Sequence, residues 1–382
     1  MPVVTDASAP HLGYRPPKAG EPALHRAARC GDRAAIRSLA AAGADINGEF
    51  DLSLDPDGHP IPATPLMVAA GSGDGASIET FDLLLSLGAL PRQRMRTRSA
   101  ARFAAAGLGW NYQPGGDAQR LRRCLELGCD PDETDFRGVT LLADAARTGD
   151  VERVHVLLAA GASPDPAGPP GTGDPGTAAG PRWFQIPVFA AAGRGDAEMT
   201  RLLLDAGADP AATDHRGRTA LFAARGQAAV LLLVAAGADL TARDEQYWAP
   251  LDDAVADGDI ERAAGLLAAG ADVNASHEGG YPAVLHAVSS HSRSLPMMRL
   301  LIEAGADPHA VTALGWNAFH AAVDVNGSAA NSEESVRDTL GFLRHRGVDI
   351  NHRDRDGSTP LQRAQAYGTP TEVRVLREMG AR

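Results

Sequence analysis

The sequence predicts an all-α solenoid of about ten helix-turn-helix repeats joined by short hairpin loops. Three observations predict it. A short tag, Gly-Ala-Asp or a near variant, recurs with first glycines at Gly43, Gly88, Gly128, Gly161, Gly207, Gly237, Gly270, Gly305, Gly347 and Gly380. Successive tags lie 45, 40, 33, 46, 30, 33, 35, 42 and 33 residues apart, the pattern of a 33-residue unit carrying insertions. Apolar residues ahead of the tags fall at helical spacing. Helices this short cannot bury a core alone, so the units must stack.

The last unit shows the grammar most clearly. Asp356-Gly357 makes a turn, Thr359 caps the open N–H groups of a helix, and Pro360 suits its first position. Leu361 and Ala364 give that helix a thin apolar stripe, and Gly368 ends it. A second helix carries Val373, Leu376 and Met379 and stops at Gly380, which can take a left-handed conformation. The same grammar sets repeats at 21–56, 57–96, 97–134, 135–166, 181–213, 214–243, 244–276, 277–311, 312–353 and 354–382. Residues 1–20 form a Pro-rich flexible N-terminal segment, and 167–180 a Gly/Pro-rich loop. The third repeat is the weakest, since Ser99-Ala100-Ala101-Arg102 lacks both a Pro and a His; the sixth is three residues short.

These units resemble the ankyrin repeat. Its Thr-Pro-Leu-His-x-Ala-Ala signature has counterparts in Thr64-Pro65-Leu66-Met67-Val68-Ala69-Ala70 and Thr359-Pro360-Leu361-Gln362-Arg363-Ala364. Degenerate forms begin at Ala23, Thr219 and Asn317, and the signature's second half recurs at Val154 to Ser163, Met199 to Asp209 and Met298 to Asp307. The resemblance covers residues 21–382 and implies a module that binds a protein or peptide through its concave face and hairpin tips. It also implies a structural role for His25, His286 and His320, which fall at the signature histidine and would bond backbone between neighbouring repeats.

Composition narrows the function. Net charge is -12, which argues against nucleic-acid binding. No apolar run is long enough to cross a bilayer, and the first residues carry no apolar signal segment, so no membrane role is expected. Cys30, Cys124 and Cys129 are too few for a disulfide framework. They fit a reducing cytoplasmic location, with packing as the default role for Cys124 and Cys129. Lys18 stands alone among 36 basic residues, the rest being arginine. With abundant Ala, Gly and Pro, that usage suggests a GC-rich, bacterial coding sequence.

No catalytic or metal-binding set emerges, so no enzyme activity, cofactor or metal is expected. Gly168 to Pro175 resembles a phosphate loop, but Asp174 replaces its lysine and Pro175 its hydroxyl, and aspartate repels phosphate. The informative signal is the placement of aromatics, which make up only 5% of the chain. Trp110, Trp183, Trp248 and Trp316 all fall in turns or insertions. Phe184, Tyr247 and Tyr281 occupy the tip position where the unit usually has Gly. Binding hot spots favour Trp, Tyr and Arg. The expected partner-binding set is therefore Trp183, Phe184, Tyr247, Trp248, Tyr281 and Trp316, with Arg216 and Arg218 on one side and Asp257 and Asp324 on the other. The indoles are expected to face outward. A second basic patch, Arg92, Arg94, Arg96, Arg98 and Arg102, with Arg120, Arg122 and Arg123 nearby, suits an anionic partner. The expected protein is a monomeric scaffold or a toxin-neutralising, immunity-type protein. The alternative is an enzyme or small-molecule binder whose pocket is built by the inserted loops 107–117, 165–181 and 326–333.

Overall fold

A computed structural model describes residues 21–54, 60–72, 77–93, 99–106, 117–135, 137–165, 182–275, 281–289, 295–323 and 333–382. The chain divides into two compact units, residues 1–163 and 164–382.

In the N-terminal unit the helices come in pairs: α1 (Ala23–Cys30) with α2 (Arg33–Ala41), α3 (Pro65–Ala70) with α4 (Ile78–Ser86), α5 (Ala100–Ala106) with α6 (Ala118–Glu126), and α7 (Leu141–Thr148) with α8 (Val151–Ala159). Between the first two pairs stands an antiparallel hairpin of β1 (Phe50–Leu54) and β2 (Pro60–Ala63), with Phe50 opposite Ala63 and Leu54 opposite Pro60. Within each unit, first helices pack on first helices and second on second, as α1 on α3 and α6 on α8. Ala69, Ala70, Ala104, Ala105, Ala145 and Ala146 are buried on the first helices, where small side chains permit close approach. Leu84, Leu121 and Leu157 fill the space between first and second helices.

The C-terminal unit repeats the plan. A 3₁₀ turn (Trp183–Gln185) leads into α9 (Pro187–Arg194) and α10 (Ala197–Asp205). A second 3₁₀ turn (Ala220–Phe222) takes the place of a first helix before α11 (Gln227–Ala235). There the shortened repeat lacks residues for a full first helix, and Arg225 N–H donates instead to the Ala192 carbonyl of α9. The remaining pairs are α12 (Pro250–Asp257) and α13 (Ile260–Ala268), α14 (Ala283–Ser289) and α15 (Leu295–Glu303), α16 (Ala318–Val323) and α17 (Glu333–His345), and α18 (Pro360–Tyr367) and α19 (Pro370–Glu378).

Side-chain caps fix where these helices begin. Thr64, Thr140 and Thr359 accept from the amides of Met67, Ala143 and Gln362 at the heads of first helices. Asp32, Asp117, Asp150, Asp196 and Asp259 cap second helices in the same way.

Three buried arginines tie neighbouring pairs together. Arg120 Nη1 donates to the Ala69 carbonyl at 3.0 Å, and Arg153 and Arg262 reach the carbonyls of Ala105 and Phe222. Each satisfies a carbonyl in the last turn of the preceding pair's first helical segment while bonding an Asp on its own pair. Arg102 is buried as well, 3.3 Å from Asp135. This corrects the expectation that it belongs to an exposed basic patch: it sits on the packed face of α5, where its charge is matched by the next repeat. Arg120 leaves the patch too, since it is buried and pairs with Asp117 of its own repeat at 3.0 Å.

Candidate partner-binding surface

Four hairpin tips of the C-terminal unit are built by one local device. An Asp or Thr at the start of each of the four accepts from two amides further along. Asp214 Oδ1 accepts from Arg216 and Arg218, and Asp244 Oδ1 from Gln246 and Trp248. Thr312 Oγ1 accepts from Leu314 and Trp316, and Asp354 Oδ1 from Asp356 and Ser358. Tips also join edge to edge: Glu245 N–H donates to the Arg216 carbonyl at 2.9 Å and Arg355 N–H to the Leu314 carbonyl at 3.1 Å. Register along the tips is therefore fixed by backbone, which presents side chains at set positions.

One tip is strained. Gly217, Gly315 and Gly357 share a left-handed conformation, with φ of 72°, 76° and 78°. Tyr247 holds the equivalent place with φ 61°, and it is the non-glycine residue with positive φ among the described residues. A tyrosine there costs about 1 kcal/mol or more relative to glycine. Tyr247 is 54% exposed, so core packing does not repay that cost.

The other expected anchors form three groups. Trp183 is exposed and meets Phe184 edge-on, with centroids 5.7 Å apart. Trp248 and Tyr281 both lie against the His286 ring, at 5.2 and 4.7 Å. Trp316 carries the Arg363 guanidinium 3.6 Å from its ring centroid, and Arg363 is also 5.6 Å from Tyr367. Trp248 and Trp316 are thus half-buried rather than turned wholly outward. Each leans on the first helix of the following pair and keeps an open edge, because a large ring at a tip gains area by covering its neighbour.

The charged residues are partly engaged. Arg216 is exposed at its tip, whereas Arg218 pairs with buried Asp214 at 3.0 Å and Asp257 with Arg262 at 2.8 Å. Burial pushes the Asp253 carboxyl above its ordinary value, with Arg262 pulling the other way from 3.1 Å. Arg92 is exposed and donates Nε–H to the Leu127 carbonyl at 2.9 Å. Arg94, Arg96, Arg98, Asp324 and most of the three inserted loops lie outside the described residues.

Sequence reasoning missed Leu314, 55% exposed, and Tyr367, 69% exposed, which extend the apolar rank. Leu314 was findable: its tip position holds Arg137, Arg216, Gln246 and Asp356 in other repeats. Two signature histidines bond as their position implies. His25 Nε2 donates to the Ala63 carbonyl at 3.0 Å and His320 Nε2 to the Ser358 carbonyl at 3.1 Å.

Stacked helix pairs with side chains displayed on regular tips define a helix-pair repeat protein. The ankyrin-repeat family model matches residues 185–215, so this stretch of the chain is similar to one ankyrin repeat. Among curated relatives, the E3 ubiquitin-protein ligase KEG of Arabidopsis thaliana is 27% identical over 332 residues, covering 83% of this chain and 18% of the relative. The B-cell lymphoma 3 protein homolog of Mus musculus is 30% identical over 177 residues, covering 44% and 37%. Rabankyrin-5 of Mus musculus is 27% identical over 170 residues, covering 41% and 14%. The chain thus spans well under half the length of each. A crystal structure of an ankyrin repeat domain from Acinetobacter baumannii AYE is 29% identical, covers 51% of this chain and 98% of that one, and has a TM-score of 0.42. Ankyrin repeats are in general protein–protein interaction modules. No helix among the described residues is long and apolar enough to cross a membrane.

Proposed function

We propose that the chain is a non-enzymatic, monomeric binding module that holds a protein or peptide partner on the tips of its C-terminal unit. Tyr247, Trp248, Tyr281, Trp316 and Leu314 form the apolar rank, Trp183 and Phe184 flank it, and Arg216 supplies an exposed charge. The observation that carries this reading is Tyr247: an exposed aromatic ring held in a conformation that glycine would adopt without strain. Strained residues that packing does not require cluster at functional sites. A scaffold and a toxin-neutralising protein would both use such a surface. The ligase activity in the name of the Arabidopsis relative belongs to a protein of which the match covers 18%, and it is not proposed for this chain.

The test is capture of partners from the native cell by the full chain and by the Trp248→Ala/Trp316→Ala double variant, with mass spectrometry. Loss of a well-packed aromatic anchor removes about 2 kcal/mol of binding, roughly thirtyfold in affinity. A partner that binds the folded double variant as tightly as the parent would remove this surface assignment.

A further inference from the structure

Ten tags repeat one packing contact. The residue after the tag's first Gly sends its amide back to the carbonyl of the residue four before that Gly, closing the C-terminal turn of the second helix. Examples are Ala89 to Leu84, Ala162 to Leu157 and Ala208 to Leu203, each at 3.0 Å. In nine tags the earlier residue is Leu; the later one is Ala in eight and Val348 in the ninth. In the third repeat both are replaced, and both by cysteine: Cys129 N–H donates to the Cys124 carbonyl at 3.0 Å. The chain's only other cysteine is Cys30. Two cysteines thus replace the two partners of a single recurring contact.

From this geometry we infer that Cys124 and Cys129 form an oxidisable dithiol that closes to a disulfide when the protein meets a peroxide. The amide-to-carbonyl bond draws the two Cα atoms into the span of about 4.4–6.8 Å that a disulfide needs. Both residues are buried, Cys124 fully and Cys129 with 6% exposure, and their thiols hydrogen-bond to each other. Cys129 is the nearer to solvent and its Sγ also donates to the Pro91 carbonyl at 3.2 Å.

The surroundings assign the roles. The hydrogen bond from Cys124, with a smaller pull from the charge of Arg92, holds the Cys129 thiol below its ordinary value against burial and the Glu133 carboxylate. The same hydrogen bond, with burial, pushes Cys124 well up. Arg92 is held beside the pair by its bond to the Leu127 carbonyl, and its guanidinium fills the space where a Cβ on Gly128 would stand. The Cys129 thiolate attacks one peroxide oxygen, the O–O bond breaks, and with a proton water leaves, giving a sulfenic acid. Cys124 sulfur then attacks the Cys129 sulfur. The S–O bond breaks, the Cys124 proton goes to the departing hydroxide, and a second water leaves with the S–S bond formed. Oxidation also removes the thiol proton that Cys129 gives to the Pro91 carbonyl, so the closed form loosens the segment that leads into the basic run.

The experiment uses the full chain with Cys30→Ser. Hydrogen peroxide is added under native conditions, followed by denaturation, alkylation and mass spectrometry. The inference expects both thiols to become unalkylatable together, with a mass loss of about 2 Da that dithiothreitol reverses. In the same background, Cys124→Leu restores the residue found at the other tags and leaves Cys129 as a sulfenic acid that dimedone traps. Two outcomes overturn the inference: thiols that stay alkylatable at a dose that fully oxidises Cys30 of the parent chain, or independent oxidation of each to sulfinic acid.

Discussion

Tyr247 and His25 show how single residues report on this fold. Tyr247→Gly relieves a left-handed tyrosine and should raise stability by about 1 kcal/mol in urea unfolding at unchanged m-value, while weakening partner binding. A variant that is neither more stable nor a weaker binder would mean that the tip is set by something other than its side chain. Burial holds the His25 imidazole below its ordinary value of 6.5. Its folded-state value therefore lies below the unfolded one, so stability is full above about pH 6.5 and falls as pH drops toward the folded value. Thermal unfolding of the parent should show a decline on acidification below pH 6.5 that His25→Gln reduces. Equal pH dependence in the two proteins would exclude the histidine as the source. The bond that holds His25 was legible, because its signature position implies a backbone partner in the next repeat. The burial of Arg102 was not. A run of arginines reads alike whether each faces water or meets an aspartate such as Asp135 from the following repeat.

Whole elements are joined by side chains that reach from one pair to the next. Arg153 bonds Asp150 at 2.8 Å, lies 3.9 Å from Asp144 and satisfies the Ala105 carbonyl from a fully buried position. Arg153→Met would leave buried Asp144 without that charge and the carbonyl without its donor, costing about 3 kcal/mol in urea unfolding. A loss under about 1 kcal/mol would show the arginine to be replaceable packing. An Asp-x-x-Arg spacing at 117–120, 150–153 and 259–262 was present to be read. What it lacked was any sign that the Arg turns inward, which depends on a carbonyl some 40 to 50 residues earlier. A second link runs through the loops after the tags. Asn47 and Asn274 each accept an amide and donate to a carbonyl of the next repeat, Gly88 and Gly305. Asp165 holds the same place but only accepts, from Asp209 N–H, and burial pushes its carboxyl above the ordinary range. Asp165→Asn supplies the missing donor and should add about 1 kcal/mol of stability near neutral pH, with less gain in acid, where the carboxyl is protonated. No gain at any pH would place the Gly207 carbonyl out of reach.

At the scale of the whole chain, the repeat period, the helix pairs and the aromatic tips were visible in sequence because a stacked repeat protein depends on nearest neighbours, and neighbours share one local grammar. The state of each indole was not visible. Whether Trp316 faces water or carries Arg363 on its ring is decided by a side chain 47 positions away, and nothing in the Trp316 turn encodes it. The central functional claim rests on the rank that runs from Tyr247 to Trp316. It is tested most directly by titrating a captured partner against the parent chain and the Trp248→Ala/Trp316→Ala variant in calorimetry, after circular dichroism has shown both to be folded. Affinity for the variant at least tenfold weaker is the predicted result; equal affinity would contradict it.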